Sequence, residues 1–329
     1  MSKQFPSGLL KVFIIHSPSL EIRKQHIKKF ADILESVKID YEYVESNEAS
    51  KITQQDVQQK IDLSKKQTGD LFDELVRNLH VNQLSNALKH CEAMTLASKE
   101  QDKYENFLFV EDDILFGDDM IDKLREVLTL YRKETNDILF LGLPSLAPIE
   151  QKNELQIIPT SQFYKLFPCC ESYLIKATTV GKIAPLLYPI KYVTNFQLSY
   201  VAKTHNLETT MVVPNIFLDG SKYGAFLSSI DPNNKMLFNP EFIKLANLVQ
   251  SDVSTQTIES GFETIKFRNH PDVMHLQAIY LITKGEYAKA ETILENILQL
   301  TTQNGCIINN ETEFLMTYMR LHKFTQDLA

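Results

Sequence analysis

Residues Leu10 to Ile15 form a short, nearly continuous apolar run with several β-branched side chains, which predicts a strand buried on both faces and therefore a parallel sheet. Ser17, Pro18 and Ser19 then supply helix-start chemistry, and Leu20 to Val37 carries Ile22, Ile27, Phe30, Ile33 and Leu34 at helical spacing. Tyr41 to Val44 returns to a strand pattern. The chain thus opens β-α-β, the unit that lays a crossover helix over a parallel sheet. From Glu45 to about Thr68 it is polar, rich in Gln, Lys, Ser and Asp, which predicts a loop or exposed helix and a candidate mobile lid. Leu71 to Leu79 and Leu84 to Ala97 read as helices, Asn106 to Val110 as a strand, Asp118 to Tyr131 as a helix and Ile138 to Leu143 as a strand. Tyr173 to Leu187 combines a short strand with a helix.

The pattern changes after Pro232. Pro240 to Val249, Val273 to Thr283, Tyr287 to Leu300 and Glu313 to Phe324 all have helical periodicity, with no strand among them. A chain of 329 residues exceeds the usual ceiling for one core, so two units are expected, residues 1–235 and an all-helical 236–329. Ala278, Gly285, Tyr287 and Ala290 resemble a tetratricopeptide repeat, in which small residues let paired helices approach, and a degenerate second repeat runs through Tyr318, Leu321 and Phe324. A helical hairpin of another family accounts for the same residues equally well.

Composition narrows the classes. The formal net charge is -8 with Lys and Arg spread along the chain, which argues against a nucleic-acid partner and requires any anionic substrate to be held locally. Cys91, Cys169, Cys170 and Cys306 have neither zinc-site spacing nor the density of a disulfide scaffold, so reduced thiols are expected. The apolar stretch Leu9 to Ile15 is interrupted by Lys11 and lacks a following cleavage site, and no apolar run is long enough to span a membrane. A cytoplasmic protein is the resulting expectation.

Phe107 to Val110 leads directly into Glu111-Asp112-Asp113, where the strand should emerge at the carboxyl edge of the sheet, the edge at which open α/β sheets bind ligands. Alternation along a strand predicts Glu111 and Asp113 on one side and Asp112 on the other. Converging carboxylates repel and raise each other's pKa unless a cation intervenes, and Mg²⁺ or Mn²⁺ fills that role with one or two carboxylates plus substrate phosphates. Taken alone, an acidic run after a strand is also compatible with a solvated turn.

Read in order, Val12-Phe13-Ile14-Ile15 with Ser17 and Arg23, Leu84-Ser85-Asn86-Ala87-Leu88-Lys89-His90, Phe109-Val110-Glu111-Asp112-Asp113-Ile114, Asp137-Ile138-Leu139-Phe140-Leu141-Gly142 and Ser172-Tyr173-Leu174-Ile175 resemble glycosyltransferase family 25. The likeness runs on to Pro214 and Ser228-Ser229-Ile230, about two-thirds of the chain in collinear order. It implies a GT-A type, Rossmann-like nucleotide-diphospho-sugar transferase sheet followed by the helical unit. It also implies metal-dependent, inverting transfer of a hexose, galactose or glucose, from a UDP-sugar or related donor to a hydroxyl on a glycan or protein acceptor.

Carried over by position, Glu111 and Asp113 become metal ligands for Mn²⁺ or Mg²⁺, and Ser17, Arg23, Val44, Glu45, Lys89, His90 and Asp112 line the donor. Lys89 replaces the family's usual Ser and is either a phosphate contact or a solvated helix-face lysine. His90 is either a donor-site residue or a helix histidine bonded to a backbone carbonyl, and Arg23 meets either a phosphate or water. Asn195 stands after Pro189-Ile190 where the family usually has Asp, and an amide cannot take up a proton as a carboxylate does. Asp219, before Gly220, is a candidate third ligand or base, or simply an Asp-Gly turn, and Glu171 is the other candidate base. The rival to an enzyme is a catalytically inactive relative that binds a protein partner through its C-terminal helices. A nucleotidyltransferase would need a Gly-rich phosphate loop near the N-terminus, and the sequence has none.

Overall fold

The computed structural model describes residues 4–62, 81–142, 154–160, 170–228, 239–251, 253–303 and 315. The expected helix Leu71 to Leu79, nearly all of Glu313 to Phe324 with its second repeat, and Cys169 and Cys306 lie outside them. The chain divides into two compact units, Met1–Asp219 and Gly220–Ala329.

In the first unit, β1 (Leu10–Ile15) is followed by α1 (Glu21–Ser36) and β2 (Asp40–Val44), as the opening pattern predicts. The polar stretch after Glu45 contains a 3-10 turn, Ala49–Lys51, and α2 (Gln54–Lys60), whose capping box joins Thr53 and Asp56. Then come α3 (Val81–Lys99), β3 (Asn106–Glu111), β4 (Ile114–Phe116), α4 (Met120–Tyr131) and β5 (Ile138–Phe140), the last shorter than expected. β6 (Gln156–Pro159), β7 (Ser172–Lys176), α5 (Ala177–Ile183), α6 (Thr194–Thr204), β8 (Thr209–Val213) and β9 (Phe217–Asp219) complete it.

Among the described residues, seven strands form one mixed sheet in the order β2-β1-β3-β7-β5-β8-β6, and β4 and β9 pair separately. β1 pairs in parallel with both β2 and β3, while β7 enters antiparallel between β3 and β5. Alternation along the strands sorts the core into two layers. Val12, Ile14, Leu108 and Val110 pack with Ile27, Phe30 and Leu34 of α1 and Leu124 and Val127 of α4. Phe13, Ile15, Phe107 and Phe109 pack on the other face with Leu84, Leu88 and Met94 of α3 and with α5 and α6. The architecture is the expected Rossmann-like α/β sheet covered by helices on both faces.

The second unit's described residues form α7 (Pro240–Gln250), α8 (Thr255–Thr264), α9 (Pro271–Thr283) and α10 (Tyr287–Gln303). α9 and α10 make a helical hairpin that turns at Gly285 (φ +75°), with Ala278 and Ala290 fully buried between the helices beside Leu294 and Ile297. No helix among the described residues is long and apolar enough to cross a membrane. Cys91 is a buried free thiol.

Candidate active site

Topology selects one crevice. The β1-to-β2 connection runs through α1 on one face of the sheet, and the β2-to-β3 connection runs through α3 on the other, with β2 and β3 on opposite sides of β1. The carboxyl ends of β1 and β3 therefore flank the switch point, where an open α/β sheet leaves room for a ligand. His16 and Ser17 follow β1 there, and Glu111-Asp112-Asp113 end β3.

The three acidic residues do not alternate as a strand would place them. β3 stops at Glu111, and Asp112 and Asp113 lie in the turn before β4. Asp112 and Asp113 consequently share one guanidinium: Arg23 reaches Asp112 Oδ1 at 2.8 Å and Asp113 Oδ2 at 3.1 Å. Glu111 is drawn to α3, where its Oε1 accepts from Asn86 Nδ2 at 3.2 Å and meets His90 Nε2 at 3.1 Å. Arg23 is thus buried against carboxylates rather than facing water, and His26, one turn on, meets the Ile114 carbonyl at 2.6 Å.

The two aspartates differ sharply. Asp112 also accepts from Ser17 N at 3.0 Å and from His16 Nδ1 at 2.9 Å. Burial would raise its pKa, but Arg23, His16 and Ser17 prevail and bring it down to about 2. Asp113, 4 % exposed, has no hydrogen-bond partner at Oδ1. Burial raises its pKa well above the ordinary carboxylate value; Arg23 opposes this, but Asp219, Glu111 and Asp112 add to the rise. Asp219 comes into range because β9 pairs with β4, setting it opposite Ile114. Burial disfavours the charge on Arg23, yet Asp113 and Asp112 outweigh that and hold its pKa above the usual value.

Glu171 joins this edge from β7: its carbonyl accepts from Glu111 N at 2.8 Å. Its carboxylate lies so close against Gly142 that a side-chain methyl at that position would collide with Oε1. Asn195 sits in the first turn of α6, where its Oδ1 accepts from Phe196 N at 3.1 Å. Its neighbour Thr194 bonds Asn86, so the start of α6 is two hydrogen bonds from Glu111.

Lys89 is not a solvated helix-face lysine. It is 1 % exposed and its ammonium donates to the His16 carbonyl (2.9 Å), Ser17 Oγ (2.7 Å) and Glu48 Oε1. An ammonium has three donors and each has an acceptor here, so Lys89 ties the β1 and β2 loops to α3. His90 bonds side chains, Tyr173 Oη at 2.8 Å and Glu111, not a backbone carbonyl. Ser17 and Ser19 do not cap α1, whose N-cap, Leu20, makes no side-chain bond. Val44 is buried and its carbonyl accepts from His16 N, whereas Glu45 is exposed.

Among the described residues no three His, Cys, Asp or Glu side chains converge enough to hold a metal ion by themselves. A divalent ion that binds a diphosphate needs only one or two protein carboxylates. Asp113 suits that role, with an orphaned buried oxygen in a field that three further carboxylates make strongly negative and one arginine does not neutralise.

No protein-family model matches the chain, and no curated protein matches it in sequence. Among solved structures, the chain is similar to a glycosyltransferase involved in the glycosylation of the major capsid of PBCV-1, at 6 % identity and a TM-score of 0.37 over 68 % of this chain and 96 % of that one. A likeness at that level assigns no reaction.

Proposed function

We propose that the protein is a glycosyltransferase of the family 25 kind, moving a hexose from a nucleoside-diphosphate sugar, UDP-linked in the first instance, to a hydroxyl of a glycan or protein. The observation that carries this reading is the buried carboxylate of Asp113, whose Oδ2 meets Arg23 and whose Oδ1 has no partner, at the switch point of a Rossmann-like sheet. Asp113 and Asp219 would hold Mn²⁺ or Mg²⁺, with Glu111 kept beside them by His90 and Asn86. Such an ion, when bound, offsets charge on the departing nucleoside diphosphate.

The remaining chemistry falls to the chain. The acceptor oxygen attacks the anomeric carbon as the carbon–oxygen bond to phosphate breaks, and the bonding pair leaves with the diphosphate. A carboxylate takes the acceptor proton, and Glu171 is assigned that role because Asp219 is committed beside Asp113 and Asn195 is an amide. Displacement on the far face inverts the anomeric carbon. Arg23 and Asp112 fix the turn that carries Asp113.

The test is a panel of nucleotide sugars with Mn²⁺ or with chelator, followed by detection of released nucleoside diphosphate. Release from one donor, lost with chelator, supports the reading, and silence across the panel together with absence of nucleotide binding refutes it. Two observations favour a second, non-catalytic reading: the Lys89 ammonium is bonded within the chain, and Asn195 stands where an acid is expected. Nucleotide binding without turnover on any acceptor would select it.

A further inference from the structure

His16 enters none of the roles above, yet it stands at the carboxyl end of β1, at the switch point of the sheet. It follows β1 directly, is 2 % exposed, and its backbone N–H is bonded to Val44 O at 3.2 Å. Its ring meets the edge of Tyr43 with centroids 5.9 Å apart. Nδ1 lies 2.9 Å from Asp112 Oδ2. The Asp112 oxygens also accept from Ser17 N and Arg23 Nη1, so Nδ1 is the donor of this contact, and Nε2 is then the acceptor end of the ring. That nitrogen is buried and has no hydrogen-bond partner. A buried polar atom left unsatisfied costs stability, and its persistence at the switch point of the sheet marks a position that a ligand completes.

We propose that His16 is a specificity-determining residue whose Nε2 accepts a hydrogen bond from the nucleoside part of the donor. This inference rests on the nucleotide-sugar reading of the site. Two groups of a nucleoside have the required chemistry, a ribose hydroxyl and an N–H of the base. Asp112 supplies the fixed tautomer, and because Arg23 and Ser17 hold Asp112 from two further directions, the ring is oriented before the ligand arrives. The same aspartate thus serves both ends of the ligand: through Arg23 it steadies the turn of Asp113, and through His16 it sets the acceptor for the nucleoside.

The test is a binding cycle by calorimetry with UDP and Mn²⁺. The ligand arms are UDP, 2′-deoxy-UDP, 3′-deoxy-UDP and N3-methyl-UDP, and the protein arms are wild type and His16→Asn. Asn keeps a donor near the Nδ1 position for Asp112 but has no atom at Nε2. Wild type should bind one of the three analogues about tenfold more weakly than UDP, the deoxy arms reporting a ribose contact and the methyl arm a base contact. His16→Asn should bind UDP about tenfold more weakly and should no longer distinguish that analogue from UDP. Should the variant melt far below wild type, His16→Phe, which keeps a ring against Tyr43 but has no acceptor at Nε2, is used in its place and should likewise no longer distinguish that analogue from UDP. Binding of UDP by wild type with the same discrimination in His16→Asn overturns this inference and leaves the proposed function standing. Absence of UDP binding by wild type overturns both.

Discussion

Asp113→Asn removes one negative charge from a group in which Glu111, Asp112, Asp113 and Asp219 face a single arginine. Because burial and its neighbours raise the Asp113 pKa, the carboxylate charge is already disfavoured in the metal-free protein, and an isosteric amide can still accept from Arg23 Nη2. The variant alone should therefore stay within about 1 kcal/mol of wild type. Bound donor changes the comparison. With UDP and Mn²⁺ at a hundred times the dissociation constant, wild type gains about 2.7 kcal/mol. For a unit the size of Met1–Asp219 that is a rise in melting temperature of roughly 5–10 °C. Asp113→Asn should show no metal-dependent rise. The assay is a thermal melt with UDP alone, Mn²⁺ alone and both; an Asn variant that keeps the full combined shift refutes the assignment of Asp113, and one that melts far lower without ligand shows that its role is structural.

Gly142→Ala drives a methyl carbon into Glu171 Oε1 and sets it 3.2 Å from the Phe217 carbonyl, so Glu171 must move; a loss of about 1–3 kcal/mol in urea unfolding, with transfer reduced more than donor binding, is expected. Lys89→Met leaves Glu48 without its cation and the His16 carbonyl without its donor, which should lower stability by roughly 3–5 kcal/mol in the same assay. His270, the N-cap of α9, accepts from Asp272 N at 3.2 Å through Nδ1, and burial pushes its pKa down to about 4 from the ordinary 6.5. The unfolded chain binds that proton first, so the cap's contribution is complete above pH 6.5 and is lost towards pH 4, by about 3 kcal/mol in all. Circular-dichroism unfolding across that window checks it, and His270→Asn, which caps without titrating, should flatten the dependence.

The parts of the fold legible in the sequence are those with a long or strongly patterned apolar signal. Leu10–Ile15 and Asn106–Glu111 are buried almost throughout, and α1 repeats Ile27, Phe30 and Leu34 along one face. The parts that are not legible are short or weakly patterned. β4 and β9 have three residues each and exist through their mutual pairing, β8 is five residues of which two are threonine, and α6 opens with Thr194 and Asn195, residues of low helix propensity. α8, Thr255–Thr264, is polar apart from Ile258 and Phe262.

At the site, the acidic run itself is visible in the sequence, but its geometry is not. Alternation holds only while a strand continues, and β3 ends at Glu111, so Asp112 and Asp113 turn together towards Arg23. Lys89 and His16 depend on partners far away in sequence, Glu48 and Asp112, and no local pattern encodes those pairings. A buried lysine with three acceptors reads, one residue at a time, like any lysine on a helix.

Crystals grown with Mn²⁺ and UDP, measured at a wavelength where manganese scatters anomalously, address the central claim most directly. An anomalous peak bonded to Asp113 Oδ1, with the diphosphate completing its coordination between the ends of β1 and β3, is the predicted result. A peak elsewhere, or nucleotide bound away from that crevice, contradicts it.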